Sequence, residues 1–197
     1  MTHLRWCRRV LDSSIEDMTP LFLLPFALLL GSGGSPSGTE RYSRLRPEDD
    51  ASRVILRDGV QSSLTVARLV DELERSSVIV YVRAVPGLHR RGLMTLIAHT
   101  DVVTYLLVRI DPGLTRRDRI AILAHELTHA VEVATARPPV RTETDLERLY
   151  ARIGVPGASA HEFESVAARA NETTVRAELA RVLLPAPPEP PRRRQNR

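Results

Sequence analysis

The chain has 197 residues, 43% of them hydrophobic, which is enough for one modest domain once the ends are discounted. Its net charge of +4 invites a nucleic-acid partner, yet the C-terminal PRRRQNR alone carries four arginines and no acid, so the remainder is neutral. With three Phe, four Tyr and one Trp, and no basic stretch interleaved with aromatics, the composition argues against nucleic-acid binding.

The first segment, residues 1–33, reads as a targeting signal. An apolar run from Leu21 to Leu30, broken by Pro25, is followed by small residues suited to cleavage, with RWCRR as a basic stretch before it or Met18 as an alternative start. Ten apolar residues fall short of the ~20 that cross a bilayer as a helix, so a stable membrane span is not expected. Export, to a periplasm or to the medium, is. Cys7 is the single cysteine and precedes the apolar run, so the mature chain would have no disulfide, no cysteine zinc ligand and no cysteine nucleophile.

Residues 34–50 are rich in Gly, Ser, Pro and charge and read as a flexible leader, and the proline- and arginine-rich residues 185–197 read as a disordered tail. The domain is expected between them, at residues 51–184. Leu64, Ala67, Leu69, Val70 and Leu73 line one helical face, with Ser63 as its N-cap. Runs from Val78, Leu93 and Val102 are β-branched and apolar and are separated by turn residues, which predicts three strands of a small antiparallel sheet. Helices and strands in this order give an α+β domain.

After Asp111–Gly113, Thr115 is the expected N-cap of a helix running to about Ala136, with Asp118 three residues on. Ile120, Leu123, Leu127, Ala130, Val131 and Ala134 form one stripe of this helix, and His125, His129 and Glu132 gather on the opposite face. Histidines four apart bring two imidazoles over one point, and Glu126 beside the first can reach a water held there. Surface polarity alone would also put His and Glu on a helix's outer face. The apolar, chargeless flanks Ile122 to Ala124, Ala130 and Val131 favour a zinc site instead.

A third ligand is needed, and Glu132 lies about 10 Å along the axis from His125, too far to share its metal in an unbroken helix. It is expected to be a supporting or surface group. A second helix is expected from about Glu162, on which Glu164 falls in line with Val175, Leu179 and Val182, so that its carboxylate must be paired, protonated or metal-bound. Glu164 is the candidate third ligand, with His161 and Glu162 as alternatives. Tyr150 and His161, between the two helices, are candidates for stabilising an oxyanion.

At HELTH and the downstream glutamate the sequence resembles the zincin metallopeptidases, in particular the gluzincins and small exported bacterial members. The resemblance covers roughly Ser63 to Leu184. It implies that His125, His129 and Glu164 bind zinc, and that Glu126 is the general base that takes a proton from water and passes it to the leaving amine of a peptide or protein substrate. It also implies that the strand ending near Arg109 is the edge to which an extended peptide adds. Many gluzincins carry an Asp four residues after the ligand glutamate to orient a histidine, and here that position is Ala168. Two alternatives remain: a non-catalytic or degenerate zinc-binding domain in the cell envelope, and an exported structural protein with a fortuitous motif.

Overall fold

In the computed structural model, which describes residues 42–155 and 163–182, short polar side chains mark where the helices begin. Asp49 and Ser52 form a capping box at α1 (Asp50–Ser62), and Ser63 accepts from the Val66 N–H at α2 (Leu64–Glu74). Thr115 accepts from Asp118 N–H at α3 (Arg116–Thr135), and Thr142 with Asp145 boxes α4 (Glu143–Ile153). At α5 (Val166–Val182) the Ser165 hydroxyl accepts from Ala168 N–H at 3.0 Å. Each oxygen takes an N–H that the first helical turn cannot satisfy internally.

The Ser63 and Thr115 caps are those expected. Helix α5 differs: it begins at Val166 rather than near Glu162, because Ser165 terminates the preceding segment and caps the helix.

Four strands, β1 (Leu45–Pro47), β2 (Val78–Ala84), β3 (Gly92–His99) and β4 (Thr104–Ile110), form one sheet in the order β1-β2-β4-β3. The expectation of an antiparallel sheet is corrected: β3 pairs antiparallel with β4, but β2 pairs parallel with both β1 and β4, so the sheet is mixed. Helices α1 and α2 supply the crossover that parallel β1 and β2 require. Residues 85–91 step past β4, a distance of two strand spacings or roughly 10 Å, which seven residues span easily. The link is pinned at both ends, by Val85 N–H to Ile110 O and Asp111 N–H to Arg91 O.

The strand order also corrects the expected substrate edge. The strand ending near Arg109 is β4, which is interior, and the edges among the described residues are β1 and β3. Residues 45–50, read as flexible leader, contain β1 and the start of α1. Residues 1–33, expected to be a targeting segment, lie outside the described residues, as do residues 34–41 and 183–197. No described helix is long and apolar enough to cross a membrane.

One face of the sheet buries Val78, Val80, Val82, Leu106, Val108 and Ile110. Helix α3 touches β2, β3 and β4 as well as α1, α2 and α5. Leu123, Ala124, Leu127 and Ala130 are fully buried, and each such Leu contributes about 1.5–3 kcal/mol by leaving water. Val131 and Ala134, expected in the same stripe, are only half-buried. The α+β architecture thus wraps α3 on most of its sides, including the side that carries its polar residues.

Candidate metal centre

Helical spacing on α3 brings His125 and His129 edge to face, with ring centroids 4.9 Å apart and planes at 79°. Their Nε2 atoms approach to 3.2 Å, and Glu164 Oε1 lies 3.6 Å from His125 Nε2. One ligand atom from each of the three residues falls within 4.8 Å of the others. Two imidazole nitrogens and a carboxylate oxygen gathered this closely could hold a metal ion. The side chains are only 13% (His125), 4% (His129) and 21% (Glu164) exposed.

Contrary to the expectation of a helix from about Glu162, Glu164 comes from the segment just before α5. A bridge joins Gly154 to Ser165, and Val155 N–H bonds to Glu164 O at 2.9 Å. The approach is so close that a Cβ on Gly154 would stand 3.1 Å from Glu164 O and overlap Tyr150 O. Arg169 Nε lies 3.4 Å from Glu164 Oε2.

Each histidine has a carboxylate behind it. Glu172 Oε2 lies 3.1 Å from His125 Nδ1, and Glu132 Oε2 lies 2.9 Å from His129 Nδ1. Donating Nδ1–H to a carboxylate fixes the tautomer that leaves Nε2 with a free lone pair, and it raises the basicity of the ring. Glu132 is therefore a supporting group, as one of its two expected roles had it. The carboxylate behind His125 is that of Glu172, eight residues after Glu164, rather than a group at Ala168. Residue 168 is itself fully buried.

The charges around these pairs are specific. The bond to His125 and the Arg176 guanidinium hold the Glu172 carboxyl down to about 2 against the opposing effect of burial. Arg176 also pairs with Asp118, and Arg91 reaches both Glu172 and Asp118. Burial disfavours the charged His125 ring, yet the Glu172 bond and the charges of Glu126, Glu164 and Glu172 outweigh it and raise its pKa. For Glu132, burial is outweighed by bonds from His129, Ser165 and Tyr150, and its carboxyl lies below the usual range.

Glu126 is 6% exposed. Burial pushes its carboxyl up, opposed by His129, His125 and a bond from the Met94 N–H. Met94 belongs to edge strand β3, which at its first residue passes even closer: a Cβ on Gly92 would sit 2.6 Å from Glu126 Oε1 and overlap Ile122 Cγ2.

Tyr150 is placed differently from expectation. Its hydroxyl lies 2.9 Å from His129 Nδ1 and 3.1 Å from Glu132 Oε2, on the side of the imidazole away from Nε2, while its ring stacks on Phe163 at 4.8 Å. Burial, with the Glu132 charge, drives its pKa upward, so it is a neutral donor holding the His129 and Glu132 pair. His161 and Glu162 lie outside the described residues.

Sequence reasoning did not find Glu172, Ser165, Arg176 or Gly92. For Glu172 the only signal was its position at the edge of an apolar stripe of α5. Comparison with protein families, curated proteins and solved structures finds no match to this chain.

Proposed function

We propose that this chain is an exported zinc metallopeptidase of the zincin type, gluzincin-like in its ligand set, that hydrolyses peptide bonds. The observation that carries the proposal is the convergence of His125 Nε2, His129 Nε2 and a Glu164 oxygen on one point, with Glu126 buried beside them on the same helix. The neutral-nitrogen and carboxylate donor set suits zinc.

Bound zinc supplies Lewis-acid polarisation of a peptide carbonyl and acidification of a water. The residues of the chain do the rest. Glu126, buried beside the histidines, accepts the water's proton and gives it to the leaving amine. Glu172 and Glu132 hold the two imidazoles in orientation. Edge strand β3 offers backbone groups to an extended substrate and lies against Glu126, so a peptide paired there is delivered to the base.

A non-catalytic zinc-binding domain is the second reading, favoured by the Tyr150 hydroxyl facing Nδ1 rather than the metal side of His129. Metal content and turnover of an unstructured protein by the wild type and Glu126→Gln separate the two. Zinc in both proteins, with hydrolysis reduced by about 100- to 10,000-fold in the variant, supports the peptidase. Zinc without turnover in the wild type leaves only the binding domain, and equal turnover in both proteins overturns the role of Glu126. Export rests on residues 1–33, and retention of a reporter fused to residues 1–40 in the cytoplasm would overturn it.

A further inference from the structure

We infer that Ser165 is a positioning residue, which through Glu132 fixes the orientation of His129 and sets it in register with Glu164. The inference rests on the proposed zinc site and extends it to a residue outside the ligand set.

Ser165 is 2% exposed, and its hydroxyl has two partners. The oxygen accepts the Ala168 N–H at 3.0 Å, which caps α5. The hydrogen goes to Glu132 Oε1 at 2.6 Å. The other carboxylate oxygen, Oε2, accepts from His129 Nδ1 at 2.9 Å and from the Tyr150 hydroxyl at 3.1 Å. The Glu132 side chain is 13% exposed, so water cannot readily replace a lost partner.

A helix cap needs only an acceptor. This one also donates, and the carboxylate it donates to is the one that holds a histidine. Ser165 also adjoins Glu164 in the chain, and its backbone is bridged to Gly154. One hydroxyl therefore ties the start of α5, and with it the third ligand, to the carboxylate behind His129. Without it, Glu132 keeps its His129 and Tyr150 bonds but loses the contact that fixes its rotation, and the segment bearing Glu164 loses one of its links to α3, keeping the approach of Glu164 to His125.

The test uses the full chain and three readouts: zinc Kd by chelator competition, the visible spectrum of the Co2+-loaded protein, and the 15N shifts of the His129 ring in metal-free protein. Ser165→Ala should weaken zinc binding by about 10- to 100-fold, the range for loss of a group that orients a ligand. It should also change the Co2+ spectrum and move the His129 shifts. Ser165→Asn, which caps well and has an N–H to donate, should restore most of the affinity. In a Glu132→Ala background, Ser165→Ala should cost less than about twofold more, because the two act through one link.

Equal losses in both backgrounds, or a Ser165→Ala protein less heat-stable but unchanged in Kd and His129 shifts, would overturn the inference. A wild type that binds zinc but cleaves nothing defeats the peptidase alone. A wild type without zinc defeats the metal site, and the His129 shifts in Ser165→Ala then decide this inference: moved shifts support it and unmoved shifts overturn it.

Discussion

The Nε2 atoms of His125 and His129 stand 3.2 Å apart, while the Nδ1 atoms of the same rings face two different carboxylates, Glu172 and Glu132. With each Nδ1–H given to its carboxylate, two neutral rings point lone pairs at the same place. A cation between them relieves that repulsion. The purified domain should bind about one zinc, matching one three-residue donor set, and His125→Ala or His129→Ala should lose it. Equal zinc content in all three proteins, measured by elemental analysis, would remove the site.

Zinc takes His125 in its neutral form, and the raised pKa of that ring means protons compete above pH 6.5, its ordinary value. Zinc affinity should therefore already fall on acidification from neutral pH, and Glu172→Gln should move the fall to lower pH. In the metal-free protein the raised His125 pKa contributes stability that is full below about 6.5 and is lost as pH rises through the folded value. Glu172 acts oppositely: its contribution is full above its ordinary 4.5 and is lost as pH falls toward about 2. With chelator present, thermal unfolding should show these two groups giving their joint maximum between about 4.5 and 6.5.

Glu172→Ala should weaken zinc binding by about 10- to 100-fold, because His125 loses the partner that fixes its tautomer. Arg176→Ala should do the same to a smaller degree, since it leaves the carboxylate in place but frees it to move. Chelator competition measures both, and an unchanged Kd in Glu172→Ala would show that the contact does not orient the ring.

Gly92→Ala tests how closely β3 rides on the base. The new methyl would overlap Ile122 Cγ2 and press on Glu126 Oε1, an overpacking that costs about 1–3 kcal/mol. Tm should drop and kcat should fall while zinc content holds, because Glu126 moves and the ligands do not. Full activity at normal Tm would mean that the strand yields without disturbing the carboxylate.

Local signals were the legible ones. Ser63 and Thr115 cap their helices as expected because a cap involves residues three apart. Asp49 with Ser52 and Thr142 with Asp145 carry the same kind of signal for α1 and α4, which sequence reasoning did not use. The spacing of His125 and His129 fixed their convergence. For Glu132, distance along the axis ruled out the shared metal, but only the rotation of His129 shows that its Nδ1 faces a residue one turn on.

What depended on remote parts of the chain was not legible. Nothing near Glu172 indicates that α5 brings it to His125. Ser165 ends the segment that a helical periodicity would have continued through Glu164. The interior place of β4 depends on residues 85–91 passing over its end, and strand composition does not encode that choice.

Strand β4 is paired along both edges, its alternate residues are fully buried, and α3 comes after it across a short turn. Opening this region breaks two ladders and the core at once, so its amides should exchange with solvent among the slowest in the domain. Glu164 lies outside any helix or strand ladder and is held by less: the Gly154–Ser165 bridge with its Val155–Glu164 bond, the Arg169 pair and the neighbouring Ser165 hydroxyl. The histidines thus sit on the frame, and the carboxylate on a latch. An ion entering or leaving the centre would do so by the latch, at a rate set by the opening of the Gly154–Ser165 bridge rather than by the global unfolding of the domain.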